Sequence, residues 1–451
     1  MKPLRLAATA LLASGFLTAL AMAQGIGVRQ TSLESDLDSY VIAQNQAPAG
    51  SPSDRAPGVP APQPAIASAE EIAAGGDDDG FRLFQSDRLD CRRITIRGWI
   101  DQGFTWNPDS PANRFNGPVA YNDRSNEYQL NQFYMFVERL TNTDDRRVDF
   151  GGRVDMLYGT DHRFPTAFGL DDDWGESHRF YGAAMPQIYG DVAFGDWVWR
   201  TGHMLAPVGY ESVMAPENFF YSHSYQFLYA QPTTITSSML TKKLNDNLSV
   251  NAGVFTGWNN FEWRDNEKLG FFGGATWKAP NEKTTVALEG FFNNEQPTGV
   301  ESSRSLIAFV VTHNFNDKLQ YVMEADIGYD SQGAFTPQET RTHGEWYGLT
   351  NYLFYKINPC WALGARLEWF ADDDGTRVAG LGDPHGIPLG RSATQWNELS
   401  LGVRYTPNNN VIVRSEVRWD WEKRLDASPY AFDDFTQGSQ FLWGTDLIIK
   451  F

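Results

Sequence analysis

The last twelve residues of the chain, QFLWGTDLIIKF, alternate between two kinds of side chain. Successive side chains of a strand point to opposite faces, so residues two apart share a face. One face would carry Phe441, Trp443, Thr445, Leu447, Ile449 and Phe451, and the other is mixed and charged. An apolar face that begins and ends with aromatic rings is typical of a transmembrane β-barrel strand. A half-buried strand of a soluble domain shows the same alternation over so short a stretch.

The amino-terminus reads as a secretory signal. Lys2 and Arg5 precede a short apolar stretch, and Ala21-Met22-Ala23 fits a small-x-small cleavage site. We therefore expect residues 1–23 to be a signal peptide. No later run of residues is apolar enough for a spanning helix, and the mean hydropathy is −0.43. Any insertion into a membrane would then be by strands, since only helices and closed barrels satisfy their backbone in lipid.

Residues 24–90 differ in character from the rest of the chain. They are rich in Pro and Ala and poor in aromatic residues, which predicts a disordered tether with one short helix at SAEEIAA. Residues 91–451 are the predicted barrel domain. We expect the tether to lie in the periplasm. Its partner there stays open: it would contact the cell wall, form a coiled-coil contact or have no partner.

Sixteen strand candidates follow one another from Arg92 to Phe451, each about as long as a tilted strand needs to cross a bilayer. Short turns rich in Asn, Asp, Gly and Pro alternate with long connections. This alternation over an even number of strands is the pattern of outer-membrane barrels, whose short turns face the periplasm. The sequence therefore predicts an all-β fold: a transmembrane antiparallel up-and-down β-barrel of about 16 strands.

Charged residues share a face within many of these strands. Because a charge on the lipid face costs a few kcal/mol near the midplane, such residues should face a wet lumen. The predicted pore-lining residues are Arg97, Arg153, Asp155, Arg200, Glu324, Asp326, Arg366, Glu368, Arg404, Arg414, Glu416 and Arg418. Opposed charges there would sort solutes by a transverse field or would form structural ion-pair ladders, and both alternatives stay open.

The connection 206–233 is long and unusually aromatic. Rings in such number are poorly suited to a solvated loop, so we expect the segment to fold into the barrel and narrow it. The predicted constriction residues are Glu211, Glu217, Asn218, Phe219, Phe220, Tyr221, His223 and Tyr225. An external cap and a subunit-contact surface are the alternatives. We expect weak ion selectivity. Its sign should depend on the balance between the positive charge of inward arginines, such as Arg153 and Arg414, and the negative charge of Glu211 and Glu217.

Three motifs resemble the β-barrel porin-2, or OmpL-like, family. They are GWIDQGFT from Gly98, GGRVDMLYGTD from Gly151, and PVGYE from Pro207 running on to PENFFYSHSY from Pro216. The likeness spans roughly residues 92–451 and implies an outer-membrane diffusion channel. Phe451 is similar to the terminal residue of outer-membrane barrel proteins, which implies that the barrel-assembly machinery reads it as an assembly signal.

The net charge of −19 disfavours nucleic-acid binding, which needs a basic patch. Acidic runs at 77–79, 171–173 and 372–374 are interpreted as solvated segments. His162 and His178 are better explained as solvated loop residues than as metal ligands, and the sequence predicts no metal, no cofactor and no catalytic residue. Cys91 and Cys360 match no metal or redox spacing and are expected to stay unpaired.

The leading functional hypothesis is an outer-membrane porin for passive diffusion of small hydrophilic solutes or ions. Its expected partners are outer-membrane lipid, the barrel-assembly machinery and small polar solutes, with a homo-oligomer left open. A surface receptor or adhesin that works through acidic outer loops is the second hypothesis. An outer-membrane hydrolase is the third, although no histidine lies near a Gly-x-Ser-x-Gly motif.

Overall fold

The computed structural model describes residues 81–84, 86–143, 146–175, 180–262, 268–295, 302–335, 341–378, 393–426 and 429–451. These residues form a closed antiparallel barrel of sixteen strands, which confirms the predicted fold. The strands are β1 (Ile94–Trp106), β2 (Glu127–Arg139), β3 (Asp149–Gly159), β4 (Gly182–Ala184 and Ile188–Phe194), β5 (Trp197–Leu205), β6 (Thr234–Asn245), β7 (Leu248–Trp258), β8 (Gly270–Lys278), β9 (Thr284–Glu295), β10 (Ser302–Asn316), β11 (Leu319–Phe335), β12 (Arg341–Asn358), β13 (Trp361–Asp372), β14 (Thr394–Asn408), β15 (Val411–Arg424) and β16 (Ser439–Lys450). The signal peptide, the acidic run at 77–79 and the predicted helix of the tether lie outside the described residues.

The last strand closes the barrel on the first. β16 pairs with β1 in a register that runs from Lys450 opposite Trp99 to Trp443 opposite Trp106. The terminal residue extends this pairing, because Phe451 and Gly98 exchange two backbone hydrogen bonds of 2.9 and 3.0 Å. Closure gives every described strand a partner on both sides, as a barrel in lipid requires, because an unpaired strand edge would leave backbone groups without hydrogen bonds there.

The two faces of the wall differ as the alternation predicts. Leu367, Leu401 and Trp419 point outward and are about half exposed, at 51%, 50% and 55%. Their chain neighbours Arg366 and Arg418 point inward and are almost fully buried. Exposed aromatic rings lie near both ends of the strands, as expected for rings at two membrane interfaces.

The two ends of the barrel also differ. Short turns join the strands at one end, here called the turn end, and long connections join them at the other, the loop end. The chain enters at the turn end, where a short helix, α1 (Asp87–Asp90), precedes β1. There the backbone of Phe81 exchanges two hydrogen bonds of 2.8 Å with the side-chain amide of Asn410. The described residues contain no helix that is long and apolar enough to span a membrane.

Strand β4 departs from its predicted form. The sequence places one strand at Pro186–Phe194, but pairing with β3 starts already at Gly182 and is interrupted at residues 185–187. Pro186 has no N–H to contribute to a ladder, which accounts for the break. Cys91 and Cys360 form no disulfide.

Replacing Phe451 with Glu should sharply reduce the amount of folded protein in the outer membrane. The ring lies against Gly98, contacts Phe133 with centroids 6.3 Å apart, and ends the strand that closes the barrel. The expected loss of folded protein is larger than the loss of one ring's contribution to stability would cause, because the change affects assembly as well as stability. Heat-modifiable migration of outer-membrane fractions measures it. Phe451→Tyr is the matched control and should insert normally, and normal levels of the Glu variant would contradict the assignment.

Candidate functional site: an inward loop and a charged lumen

Residues 206–233, here called the inward loop, lie inside the barrel. The segment contains one 3-10 turn, Ala215–Glu217, and one π turn, Gln226–Ala230, and otherwise has irregular backbone. Of the predicted constriction residues, Glu217 is half-buried and the others are buried: Glu211, Asn218, Phe219, Phe220, Tyr221, His223 and Tyr225. The loop contacts the inner faces of β11 to β15, which are distant from it in sequence.

Two carboxylates of the wall bind the backbone of the inward loop. Glu416 on β15 accepts the N–H groups of Tyr221 and Ser222, each at 3.0 Å. Glu368 on β13 accepts those of Tyr225 and Gln226 at 2.8 and 2.6 Å. A carboxylate that receives two consecutive N–H groups makes two charge-assisted bonds, which are stronger than bonds between neutral groups.

Four arginines of the wall bind carbonyl oxygens of the same loop. Arg414 donates to the carbonyls of Ala215, Asn218 and Phe220 at 2.8 to 3.0 Å. Arg418 donates to the carbonyl of His223 at 2.6 Å. The remaining bonds join Arg366 to the carbonyl of Ser222 and Arg404 to those of Pro216 and Asn218. Wall and loop therefore satisfy each other's polar groups, which irregular backbone cannot do alone when buried.

Glu211 fastens the start of the inward loop to its middle and to the wall. It accepts hydrogen bonds from the Arg366 guanidinium at 2.7 Å, from His223 Nδ1 at 2.9 Å and from Tyr352 at 3.0 Å. Burial alone would raise the pKa of Glu211, but Arg366 and His223 hold it at about 2. Burial lowers the pKa of His223. A neutral imidazole therefore faces an ionised carboxylate, and since a carboxylate only accepts, Nδ1 of His223 carries the proton.

The same arginines also form ion pairs along the wall. Arg366 lies 2.6 Å from Glu398, and Arg418 lies 2.8 Å from Asp420. Arg414 pairs with Asp446. The arginines thus do not face the inward loop across an open lumen, as the sequence predicts, but are in contact with it.

Glycines of the wall provide space for side chains of the loop. A Cβ on Gly364 would overlap the ring of Phe219, and one on Gly103 would overlap the ring of Tyr221. The Tyr221 hydroxyl reaches across to Asn131 on β2 at 2.8 Å. The ring of Phe219 also packs against Phe354, with centroids 4.8 Å apart. These contacts fix where the loop crosses the lumen.

Two further connections fold into the loop end, which the sequence analysis did not predict. Tyr121, from residues 107–126, stacks on Phe164, from residues 160–181, at 4.3 Å and lies 4.0 Å from the ring of His223. Asp123 accepts two 2.9 Å bonds from Arg163. These connections carry fewer rings than the inward loop, so the aromatic signal that identifies it is weaker in them.

All predicted pore-lining residues lie on inner faces, where Arg97 is half-buried and the others are buried. Arg153 pairs with Asp155 at 2.7 Å, and Arg200 makes two bonds of 2.8 Å to Asp191. Alternation within the strands also places Asp420 and Asp446 on inner faces, whereas four further buried acidic residues of these faces were not predicted: Asp101, Asp191, Glu289 and Glu398. Period-two alternation from Arg404 would have found Glu398.

Two of the acidic runs are solvated only in part, because one residue of each, Asp171 and Asp372, is buried, while Asp172 and Asp173 are exposed. Asp372 is fully buried and accepts the N–H groups of Thr376, Arg377 and Val378. Asp171 is buried and accepts those of Ala167 and Met185. Both act as caps that hold connections in place.

His162 is buried too, rather than solvated as the sequence suggests, and its Nδ1 lies 2.9 Å from the carbonyl of Gly159. His178 lies outside the described residues. Among the residues that the structure describes, no group of His, Cys, Asp and Glu side chains has the geometry to hold a metal ion.

Residues 93–451 match the family model described as "Putative beta-barrel porin-2, OmpL-like". The chain belongs to this porin family. Membership confirms the resemblance seen in the sequence motifs and makes the protein an outer-membrane porin, that is, a channel. A search of curated proteins gave no match.

Solved structures with the same fold are also outer-membrane channels. DcaP of Acinetobacter baumannii is 11% identical, with 79% of this chain and 97% of that chain covered and a TM-score of 0.53. The anion-selective porin from Comamonas acidovorans is 9% identical, with 79% and 99% covered and a TM-score of 0.54. At such low identity the likeness extends to the fold alone.

Replacing Arg366 with Met should destabilise the porin by about 3–5 kcal/mol, because Glu211 and Glu398 would stay buried without their cation. Arg366→Lys keeps the charge but loses the planar fork, so its loss should be smaller. Denaturant unfolding of the purified porin in detergent measures both. Lys243→Met removes an exposed 2.9 Å ion pair with Asp246 and is the matched control, and its loss of stability should be far smaller, because solvent screens the pair. Equal losses in Arg366→Met and Lys243→Met would contradict the anchoring role of Arg366.

Proposed function

We propose that this porin is a passive diffusion channel for small hydrophilic solutes and ions, narrowed by the inward loop. The observation that carries the proposal is the uneven anchoring of the loop. Most of its bonds to the wall go to β11 to β15 and a few go to Asn131 and Gln132 on β2, whereas β8 and β9 offer small inner residues instead. Gly274 and Thr276 on β8 and Ala287 on β9 are half-buried inner positions, which supports an open path between this wall and the loop.

The remaining expectations complete the proposal. Residues 1–23 would direct export, the tether from residue 24 would lie in the periplasm with the cell wall as a candidate contact, and the barrel-assembly machinery would read Phe451. A homo-oligomer in outer-membrane lipid fits a barrel of this size.

Planar-bilayer recording tests the channel directly. Purified porin should give stable open steps in KCl, because a sixteen-stranded barrel is wide enough for water beside the loop. A folded, heat-modifiable barrel that stays silent would overturn the proposal. Steps of uniform size would also indicate that the loop is held in one position.

Replacing both Glu368 and Glu416 with Gln should enlarge the open steps and make them noisier. Each Gln still offers one carbonyl oxygen but no charge, so four N–H bonds to the inward loop weaken and the loop moves away from its wall. Single-channel amplitude and open-channel noise measure the change. Glu282→Gln removes a negative charge from an exposed turn, together with a surface ion pair to Lys278, and should leave both the amplitude and the noise unchanged. A double variant with wild-type steps would show that these carboxylates do not set the width of the channel.

A further inference from the structure

Three phenylalanine rings meet on the inner faces of β7, β8 and β9. The rings of Phe272 and Phe291 are stacked with their centroids 5.2 Å apart. The ring of Phe255 meets both of them edge-on, with centroid distances of 5.8 and 5.6 Å. All three side chains are almost fully buried, with exposed fractions of 0% to 4%. Phe255, Phe272 and Phe291 are here called the ring cluster.

The ring cluster lies directly beyond the half-buried positions of the proposed path. Strand β8 runs from the loop end to the turn end, and its inner positions Gly274 and Thr276 are half-buried. Phe272 is the next inner position toward the loop end, and it is buried. Because Phe272 pairs with Phe291 on β9, both rings stand at one level of the wall. A solute that moves along this wall from the turn end therefore meets the rings next.

Glycines of the same wall determine where the rings lie. A Cβ on Gly253 of β7 would stand 2.6 Å from the ring of Phe272. A Cβ on Gly270 of β8 would stand 2.5 Å from the ring of Phe255. Each of these two rings thus lies across a glycine of the neighbouring strand. The absence of larger side chains there gives the ring cluster one defined position on the wall.

The inward loop contributes apolar side chains on the same side of the lumen. Leu228 and Ala230, in the π turn of the loop, belong to the same buried apolar cluster as the three rings. Leu306, the cross-strand partner of Phe291 on β10, extends this apolar surface. Apolar groups of wall and loop therefore come together here, whereas charged side chains join wall and loop at β13 to β15.

An apolar constriction opposes the passage of ions and polar solutes. A phenyl ring has no hydrogen-bond donor or acceptor to replace the water that such a solute gives up. Hydrophobic constrictions of channels can gate by dewetting for this reason. Thr276, on the turn side of the rings, carries a hydroxyl group, so the cost of passage should rise at the level of the ring cluster.

We propose that the ring cluster of Phe255, Phe272 and Phe291, facing Leu228 of the inward loop, forms an apolar neck that limits the flow of ions and polar solutes. The inference rests on the proposed function, since a neck requires a path that passes it. The inward loop is the other side of this neck, so the neck also widens when the loop moves away from its wall. Smaller side chains in the ring cluster would widen it without moving the loop.

Single-channel recording in KCl tests the neck. Phe272→Ala and Phe291→Ala each remove one ring and should enlarge the open steps, and the double variant should enlarge them further. Phe271 and Phe292 are the chain neighbours on the outer face and are 65% and 52% exposed. Phe271→Ala and Phe292→Ala make the same change on the lipid side of the same strands. These matched controls should leave the steps at their wild-type size.

Loss of a buried ring also destabilises a protein, so heat-modifiable migration is used to select the variants that fold. Phe272→Leu keeps the position apolar and removes less volume than Phe272→Ala. It should give steps between those of the wild-type porin and the Ala variant, and it decides the test if the Ala variant does not insert.

The outcomes separate the neck from the channel. If the wild-type porin conducts and the folded inner-face variants give wild-type steps, the neck is overturned and the diffusion channel stays intact. Equal enlargement by Phe271→Ala would also overturn the neck. A silent wild-type barrel together with a conducting Phe272→Ala variant would support the neck and overturn passive diffusion through the wild-type porin. Folded barrels that are silent with and without the rings would overturn both proposals.

Discussion

The backbone of the inward loop is held by charged side chains of the barrel wall, and the arrangement of the lumen follows from this interaction. An irregular segment inside a barrel carries N–H and C=O groups that cost about 1–3 kcal/mol each when buried without a partner. Glu368 and Glu416 accept the N–H groups, and four arginines donate to the carbonyls. The charged side chains of β13 to β15 therefore bind the backbone of the inward loop. Only charged groups that are not used in this way remain available to a solute.

The bonds between the wall and the inward loop fix the position of the loop more than they stabilise the fold. Buried ion pairs cost much of their attraction in desolvation, and a well-packed apolar core of equal volume is often as stable. An apolar wall would, however, let an irregular loop slide. Directional bonds, together with the sockets at Gly103 and Gly364, define one path for the loop across the lumen.

Much of the barrel is predictable from the sequence because most strands carry a local signal. Polar and apolar residues alternate within the strand, and Gly, Asn or Asp occurs in the turn that follows. The inner faces of β13 and β15 follow in the same way, since the charged residues from Arg366 to Glu368 and from Arg414 to Asp420 alternate with mostly apolar ones. Glu289 could not be placed, because the glycine-rich strands β8 and β9 hide their register. The partners of the inward loop are also unpredictable, since Glu416 and Tyr221 lie 195 positions apart and share no local pattern. Asp171 and Asp372 look the same in sequence whether they are solvated or cap a connection.

The long separation between the loop and its anchors has a consequence for how the porin matures. The inward loop follows the fifth strand, but its binding sites lie on the thirteenth to fifteenth strands, near the end of the chain. During synthesis and export the loop exists before the carboxylates and arginines that bind most of its backbone. It can reach its final position only when the last strands have been laid down. Placement of the loop across the lumen is thus a late event, coupled to closure of the barrel.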